Sequence, residues 1–424
     1  MGMTSNLKEI KKYAVIGAGM SGLAVANLLK DNEQNVTVYE KETRPGGMIK
    51  CDRVNGSLFH RTGGHVFNTK RQDVMDWFWQ HFDREKEFSK ALRNSSVVME
   101  GMDIVPYPIE NHMYCFPKEV QQSFIQDMLS INQIGGGNPK NFEEFLKGRF
   151  GQTLYDIYFQ PYNYKVWRRD LTKVPLSWLA GKLPMPTVEE MIYNNMNHVE
   201  ERAFVHSSFY YPNNGGSQFL ADRLSKDLHI IYNADITTLS KQGDKWTANG
   251  EEYDRVIFCG NIKQLPALIG EQVDIKNFVQ PIAELESHGT TAVFCEIDKN
   301  EYSWMYMPSR KHESHRIICT GNFSASNNAE GKMTATIEFT DAISKEEILN
   351  NLTRIPYNPK YITHHYEKYT YPIQKDDTRE MISSLKAVLE QNGLYLLGRF
   401  AEWEYYNMDV AIGAAMDLCN NKLK

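Results

Sequence analysis

The sequence predicts an α/β fold: a discontinuous Rossmann-like nucleotide-binding domain, a helical insertion and an antiparallel β-sheet domain. Three observations carry this. A glycine-rich turn, Gly17-Ala18-Gly19-Met20-Ser21-Gly22, separates a short apolar strand from a run with helical spacing. A second group of strand-like runs, from His229 to Gly260, returns to the same kind of unit. Between and after these pieces the composition shifts, first to helix formers and aromatics over Pro117 to Met196, then to alternating β-type runs over Pro281 to Tyr371. With 424 residues the chain is long enough for two or three lobes, since single cores stop growing near ~250 to 300 residues.

Tyr13-Ala14-Val15-Ile16 reads as a buried strand, Ser21 to Lys30 as a helix with Leu23, Ala26 and Leu29 on one face, and Val36-Thr37-Val38-Tyr39 as the next strand, ending at Glu40. Gly17 allows the tight turn. Gly19 lets the backbone approach a pyrophosphate at the positive helix end, and Gly22 lets helix pack on strand. Glu40 stands where a carboxylate accepts hydrogen bonds from ribose hydroxyls. Strand, glycines, helix, strand and acid in register point to a bound dinucleotide.

A second glycine pair, Gly46-Gly47, and then Gly63-Gly64-His65, follow the ribose acid. Glycines there resemble the extension of flavin amine oxidases and glutathione-reductase-like proteins, which NAD dehydrogenases lack, so FAD is expected rather than NAD. Gly63 and Gly64 are expected to let the backbone come close to a flat ring, with His65 positioning the flavin or its loop.

His229 to Ile236 reads as a strand, Lys241 to Tyr253 as a hairpin and Asp254 to Gly260 as a strand leading to a turn. The insertion is mostly helical, with a Gly135-Gly136-Gly137-Asn138-Pro139 break and a Pro-punctuated stretch from Val174 to Pro186. Thr291 to Ile297, Arg316 to Cys319 and Thr334 to Phe339 fit an antiparallel sheet. The nucleotide domain is placed at 1–85, 214–262 and 391–424, the helical insertion with a mobile lid at 111–213, and the sheet domain, where substrate binds, at 86–110 and 263–390.

The charge balance, 47 Lys+Arg against 53 Asp+Glu with no dense basic run, argues against a nucleic-acid partner. Six scattered cysteines without a CxxC pair argue against a zinc site or a disulfide framework and for a reduced, cytoplasmic protein. No apolar run suggests a membrane anchor. Whether the chain forms a homo-oligomer is left open.

Several motifs in order resemble the UDP-galactopyranose mutase family: Leu154 to Asp170, His315-Arg316-Ile317-Ile318, Tyr369-Thr370-Tyr371-Pro372-Ile373 and Gly398 to Asp409. The resemblance implies substrate contacts from Phe159, Tyr162, Trp167, Tyr371 and Tyr405, a catalytic set of Arg316, Arg399 and His65, and a flavin contact from Met408. It also implies pyranose–furanose interconversion of a nucleotide sugar, UDP-galactose or a relative, by attack of reduced FAD N5 on the anomeric carbon, in cell-surface polysaccharide biosynthesis. Two departures stand out. Pro186 occupies a lid position where the family offers arginine, and Asn407 stands where bacterial mutases commonly have aspartate, which points to a different nucleotide sugar.

Each residue has a plainer alternative. Tyr162, Tyr371, Tyr405 and Trp167 read equally well as core aromatics. Arg316 and Arg399 could be ordinary ion-pair arginines, although each adjoins an apolar run where an unpaired charge is costly. The alternative function is an amine-oxidase-like or protoporphyrinogen-oxidase-like oxidoreductase, which has no evident use for paired arginines, and a non-catalytic nucleotide-sugar sensor is the third reading.

Overall fold

The computed structural model describes residues 10–134, 137–176, 186–199 and 208–423. A five-stranded sheet runs in spatial order Leu394–Leu396, Arg255–Phe258, Lys12–Ile16, Asn35–Tyr39 and His229–Ile231. Every pairing is parallel. Such a sheet needs cover on both faces, which explains the near-continuous apolar strands. On one face helix Met20–Asp31 shares a core with helices Gln218–Ser225 and Met408–Asn421. On the other, Trp246 and Tyr253 pack with Leu385 and Leu389 of helix Thr378–Gln391.

Two expected elements differ. The strand expected over His229 to Ile236 stops at Ile231, because the chain turns at Asn233 in left-handed backbone and the Ala234 amide bonds the Glu40 carbonyl. The expected hairpin of Lys241 to Tyr253 is a three-stranded meander, Leu239–Gln242, Lys245–Ala248 and Glu251–Tyr253.

The insertion comprises helices Lys118–Ile134, Phe142–Leu154, Gln160–Trp167 and Val188–Asn197, with a π-helical turn at Tyr155–Phe159. Phe142, Leu146, Phe150 and Leu154 fill its core. Thr187 and Glu190 cap the last helix reciprocally. Most of the Pro-punctuated lid, and Gly135-Gly136 of the glycine break, lie outside the described residues.

The third unit is a seven-stranded sheet in the order Lys360–Ile373, Glu286–Glu296, Thr334–Thr340, Arg316–Ile318, Trp304–Tyr306, Ser95–Val97 and Val105–Pro106. It is antiparallel except where Trp304–Tyr306 meets Ser95–Val97, a parallel pair joining segments far apart in the chain. Thr334–Thr340 is buried along its whole length and carries a carboxylate, Glu338, in the middle. Among the described residues no helix is long and apolar enough to cross a membrane.

Candidate active site

The two glycine loops meet. The Gly46 amide donates to the Ala18 carbonyl at 2.8 Å, and Gly19 and Gly46 form an isolated parallel bridge. The Glu40 carboxylate, 5% exposed, ties the loops further by accepting from the Ala18 amide at 2.8 Å and the Glu42 amide at 2.9 Å. Each carboxylate oxygen has two lone pairs, so one per oxygen is left for a ribose hydroxyl. A Cβ on Gly22 would stand 1.9 Å from the Gly17 carbonyl oxygen, so this glycine is demanded by helix-on-turn packing. Gly19 differs. A Cβ there would meet only the Gly47 Cα, at 3.9 Å, so protein packing does not require glycine, and the room lies at an uncapped helix N-terminus. Space and backbone donors at that point fit a pyrophosphate, and the residues present therefore fit a dinucleotide cofactor.

Beyond these loops lies a cavity of about 220 Å³ bordered by the Thr62–Val66 loop, Trp304, Arg316, Glu338, Tyr371, Arg399, Tyr405 and the Asn407–Asp409 start of the last helix. Arg316 and Glu338 face each other across neighbouring antiparallel strands. The Arg316 Nε pairs with the Glu338 carboxylate, and its Nη2 donates to the Tyr371 hydroxyl at 3.2 Å. Glu338, 1% exposed, also accepts from the Gly63 amide at 2.8 Å and lies 3.5 Å from the His315 Nε2. Burial would lift its carboxyl, but the charge of Arg316, joined by His315, holds it well below the usual carboxylate range. Arg316 in turn is pulled down by burial and held up, on balance, by Glu338 and the two tyrosines Tyr371 and Tyr162.

Arg399 is held differently. Its Nε and Nη2 donate to the Tyr406 carbonyl, its Nη1 donates to the Thr370 carbonyl at 2.9 Å, and the guanidinium lies 4.3 Å from the Tyr405 ring centre. Among the described residues no carboxylate lies within ion-pair distance of it. Glu402, 6% exposed, shapes this loop by accepting from the Gly398 amide and the Tyr406 hydroxyl, both at 3.0 Å. Tyr405 stacks on Tyr371 with ring centres 5.5 Å apart.

His65 borders the same cavity, and its Nε2 is buried with no hydrogen-bond partner among the described residues. Burial, then the nearby Arg399 charge, push the imidazole down to about 4, so it is neutral at neutral pH. Gly64 lines the cavity, but the reason it must be small is protein packing: a Cβ would stand 2.6 Å from Ile318. Packing against Ile318 therefore requires a small residue there independently of the expected approach to a flat ring.

The expected site residues divide between the cavity and the helical core. His65, Gly64, Arg316, Tyr371, Arg399, Tyr405 and Met408 border the cavity. Phe159 instead packs on Phe150 with ring centres 4.5 Å apart, and Trp167, 3% exposed, belongs to the helical core. Tyr162 stacks on Tyr158 and stands edge-on to Tyr306 and His315; burial pushes its hydroxyl well up, against a smaller opposing pull from the Arg316 charge, so it stays a neutral phenol. Glu338, Glu402 and Trp304 were not singled out in the sequence. The only available signal was a carboxylate inside an apolar strand, at Glu338. Among the described residues no cluster of His, Cys, Asp and Glu could hold a metal.

The fold and the glycine cradle define a dinucleotide-binding protein: residues 15–82 match the NAD(P)-binding Rossmann-like domain. Similarity to mutases runs much further. The UDP-galactopyranose mutase of Mycoplasma genitalium is 21% identical over 422 residues, covering 94% of this chain and 91% of that protein. The dTDP-fucopyranose mutase of Escherichia coli is 22% identical, covering 98% and 99%. In fold, the crystal structure of a reduced UDP-galactopyranose mutase matches with a TM-score of 0.87 at 21% identity, over 98% of this chain and 94% of that one. Over nearly its whole length the chain is therefore similar to nucleotide-sugar mutases, which are isomerases, and these flavoprotein relatives imply a flavin cofactor.

Proposed function

We propose that the protein interconverts the pyranose and furanose forms of a nucleotide sugar, UDP-galactose or a relative, using reduced FAD. The observation that supports this best is Arg399, a partly buried cation held by neutral carbonyls and an aromatic face beside a cavity that also holds Arg316. Such a cation is costly without an anion, and a diphosphate suits it. When bound, a reduced flavin supplies the nucleophilic nitrogen that the ring interconversion requires.

The chain's own residues supply placement and electrostatics. Gly19 and the uncapped start of its helix receive the cofactor's pyrophosphate, and Glu40 receives ribose hydroxyls. Arg399 and Arg316 hold the nucleotide diphosphate, with the Tyr371 and Tyr405 hydroxyls as neutral donors. Neutral His65 offers its unpartnered Nε2 to a ligand in the cavity without adding charge. Met408 and the Thr62–Val66 loop border the place where cofactor and sugar meet. An oxidase acting on an amine has no evident use for the paired arginines of this cavity.

The test is to incubate the purified protein with UDP-galactopyranose, UDP-galactofuranose and the corresponding dTDP sugars, with and without dithionite, and to separate the products chromatographically. Interconversion only under reduction is expected. Turnover by the oxidised protein, or hydrogen peroxide release with an amine, would overturn the reading.

A further inference from the structure

The two arginines of the cavity are electrostatically unequal, and the difference comes from one buried residue. Arg316 shares its Nε with Glu338, its direct neighbour across the strands Arg316–Ile318 and Thr334–Thr340, whereas among the described residues Arg399 donates to carbonyl oxygens only. Glu338 is 1% exposed and spends its other oxygen on the Gly63 amide, so one carboxylate is tied both to the arginine and to the loop that carries His65. Among the described residues the charges that border the cavity are then Arg316 and Arg399 against Glu338 and Asp409. A site built only to bind diphosphate tightly would have no use for a buried anion beside its arginine.

We propose that Glu338 is a positioning residue that moderates the site's hold on diphosphate: it aims Arg316 while cancelling its charge, so that the departed diphosphate stays reactive enough to recombine with the sugar. The proposal rests on the mutase reading. In that reaction the diphosphate leaves the anomeric carbon with the bonding electron pair and gives the same pair back when the bond re-forms. Stabilising the free diphosphate more than the transition state slows its return. Neutralising Glu338 while keeping its shape should therefore tighten diphosphate binding and reduce turnover.

The experiment uses flavin-loaded wild type, Glu338→Gln, Arg316→Gln and the double variant, with UDP and dTDP as probes, titrated calorimetrically at low and at moderate salt. Glu338→Gln should bind the preferred nucleotide about tenfold tighter, with a steeper salt dependence, and both kcat and KM should fall. Arg316→Gln leaves Glu338 as an uncompensated anion, so the double variant should bind better than Arg316→Gln alone. All titrations are run at a temperature where thermal melts show every variant folded, so that the rescue reads the charge in the cavity and not recovery of the fold. Glu338→Gln binding no tighter than wild type, together with a double variant no better than Arg316→Gln, would overturn the proposal. So would loss of flavin or of folding in both variants that lack Glu338, because the carboxylate would then serve the fold. Wild-type protein that binds neither nucleotide refutes the mutase reading itself, and this proposal falls with it.

Discussion

The guanidinium of Arg399 lies 4.3 Å from the ring centre of Tyr405, and Tyr405 stacks on Tyr371, whose hydroxyl accepts from Arg316. The two arginines are thus joined through a pair of tyrosines. Replacing Arg399 with Ala removes a charge-assisted contact without stranding a partner charge. We expect kcat/KM to fall by a factor corresponding to roughly 1.5 to 3 kcal/mol, with melting temperature and flavin content close to wild type. Steady-state kinetics and a thermal melt decide it, and loss of flavin would instead place Arg399 in cofactor binding.

Arg316→Ala should behave differently. It leaves Glu338 buried and unpaired, a change that typically costs about 3 to 5 kcal/mol of stability. The expected signature is a clearly lower melting temperature in addition to lost turnover. A melt indistinguishable from that of Arg399→Ala would contradict the buried-pair description.

Gly19 and Gly22 offer a paired test of the nucleotide cradle. Gly22→Ala sets a methyl 1.9 Å from a backbone carbonyl oxygen, which cannot yield without moving the helix, so the variant should be destabilised even without cofactor. Gly19→Ala meets only a Cα at 3.9 Å, so the apoprotein should melt normally while retaining little flavin. Absorbance of bound flavin against apoprotein melting separates the two, and equal melting losses in both would mean that Gly19 serves packing.

Acid should destabilise the protein through its buried histidines. His60, fully buried between the Tyr211 and Ser217 hydroxyls, is pushed down from 6.5 to about 3 by burial, with His65 adding to the shift. A lowered folded value means that the unfolded chain binds the proton first. Stability is therefore full above pH ~6.5 and is lost as pH falls towards about 3, with about 2 kcal/mol gone by pH 5 from this residue. Glu338 acts in the same direction: its contribution is present above its ordinary range and lost as pH falls below it. Chemical denaturation of wild type and His60→Gln between pH 7 and 4.5 should give a shallower slope for the variant. Parallel slopes would show that His60 does not carry the acid sensitivity.

Much of the nucleotide cradle was legible in the sequence because its parts are contiguous. Turn, helix and second strand follow one another from Gly17 to Glu40, so spacing alone places the glycines at the helix start and the acid at the strand end. The aromatics of Leu154 to Asp170 were not decidable in this way. A helix shows the same spacing whether a ring faces a neighbouring helix or a ligand, and Phe159 and Trp167 face the helical core.

The sequence by itself determined the α/β class, the dinucleotide turn and the order of the motifs, because each depends on local periodicity and on glycine at particular steps of a turn. Only the tertiary structure decided that Glu338 pairs with Arg316, that Ile318 keeps Gly64 small, and that Arg399 rests on the Tyr406 and Thr370 carbonyls. These contacts come from strand register and loop closure between segments distant in the chain. Register is chosen by packing of the whole sheet, and no local spacing encodes it.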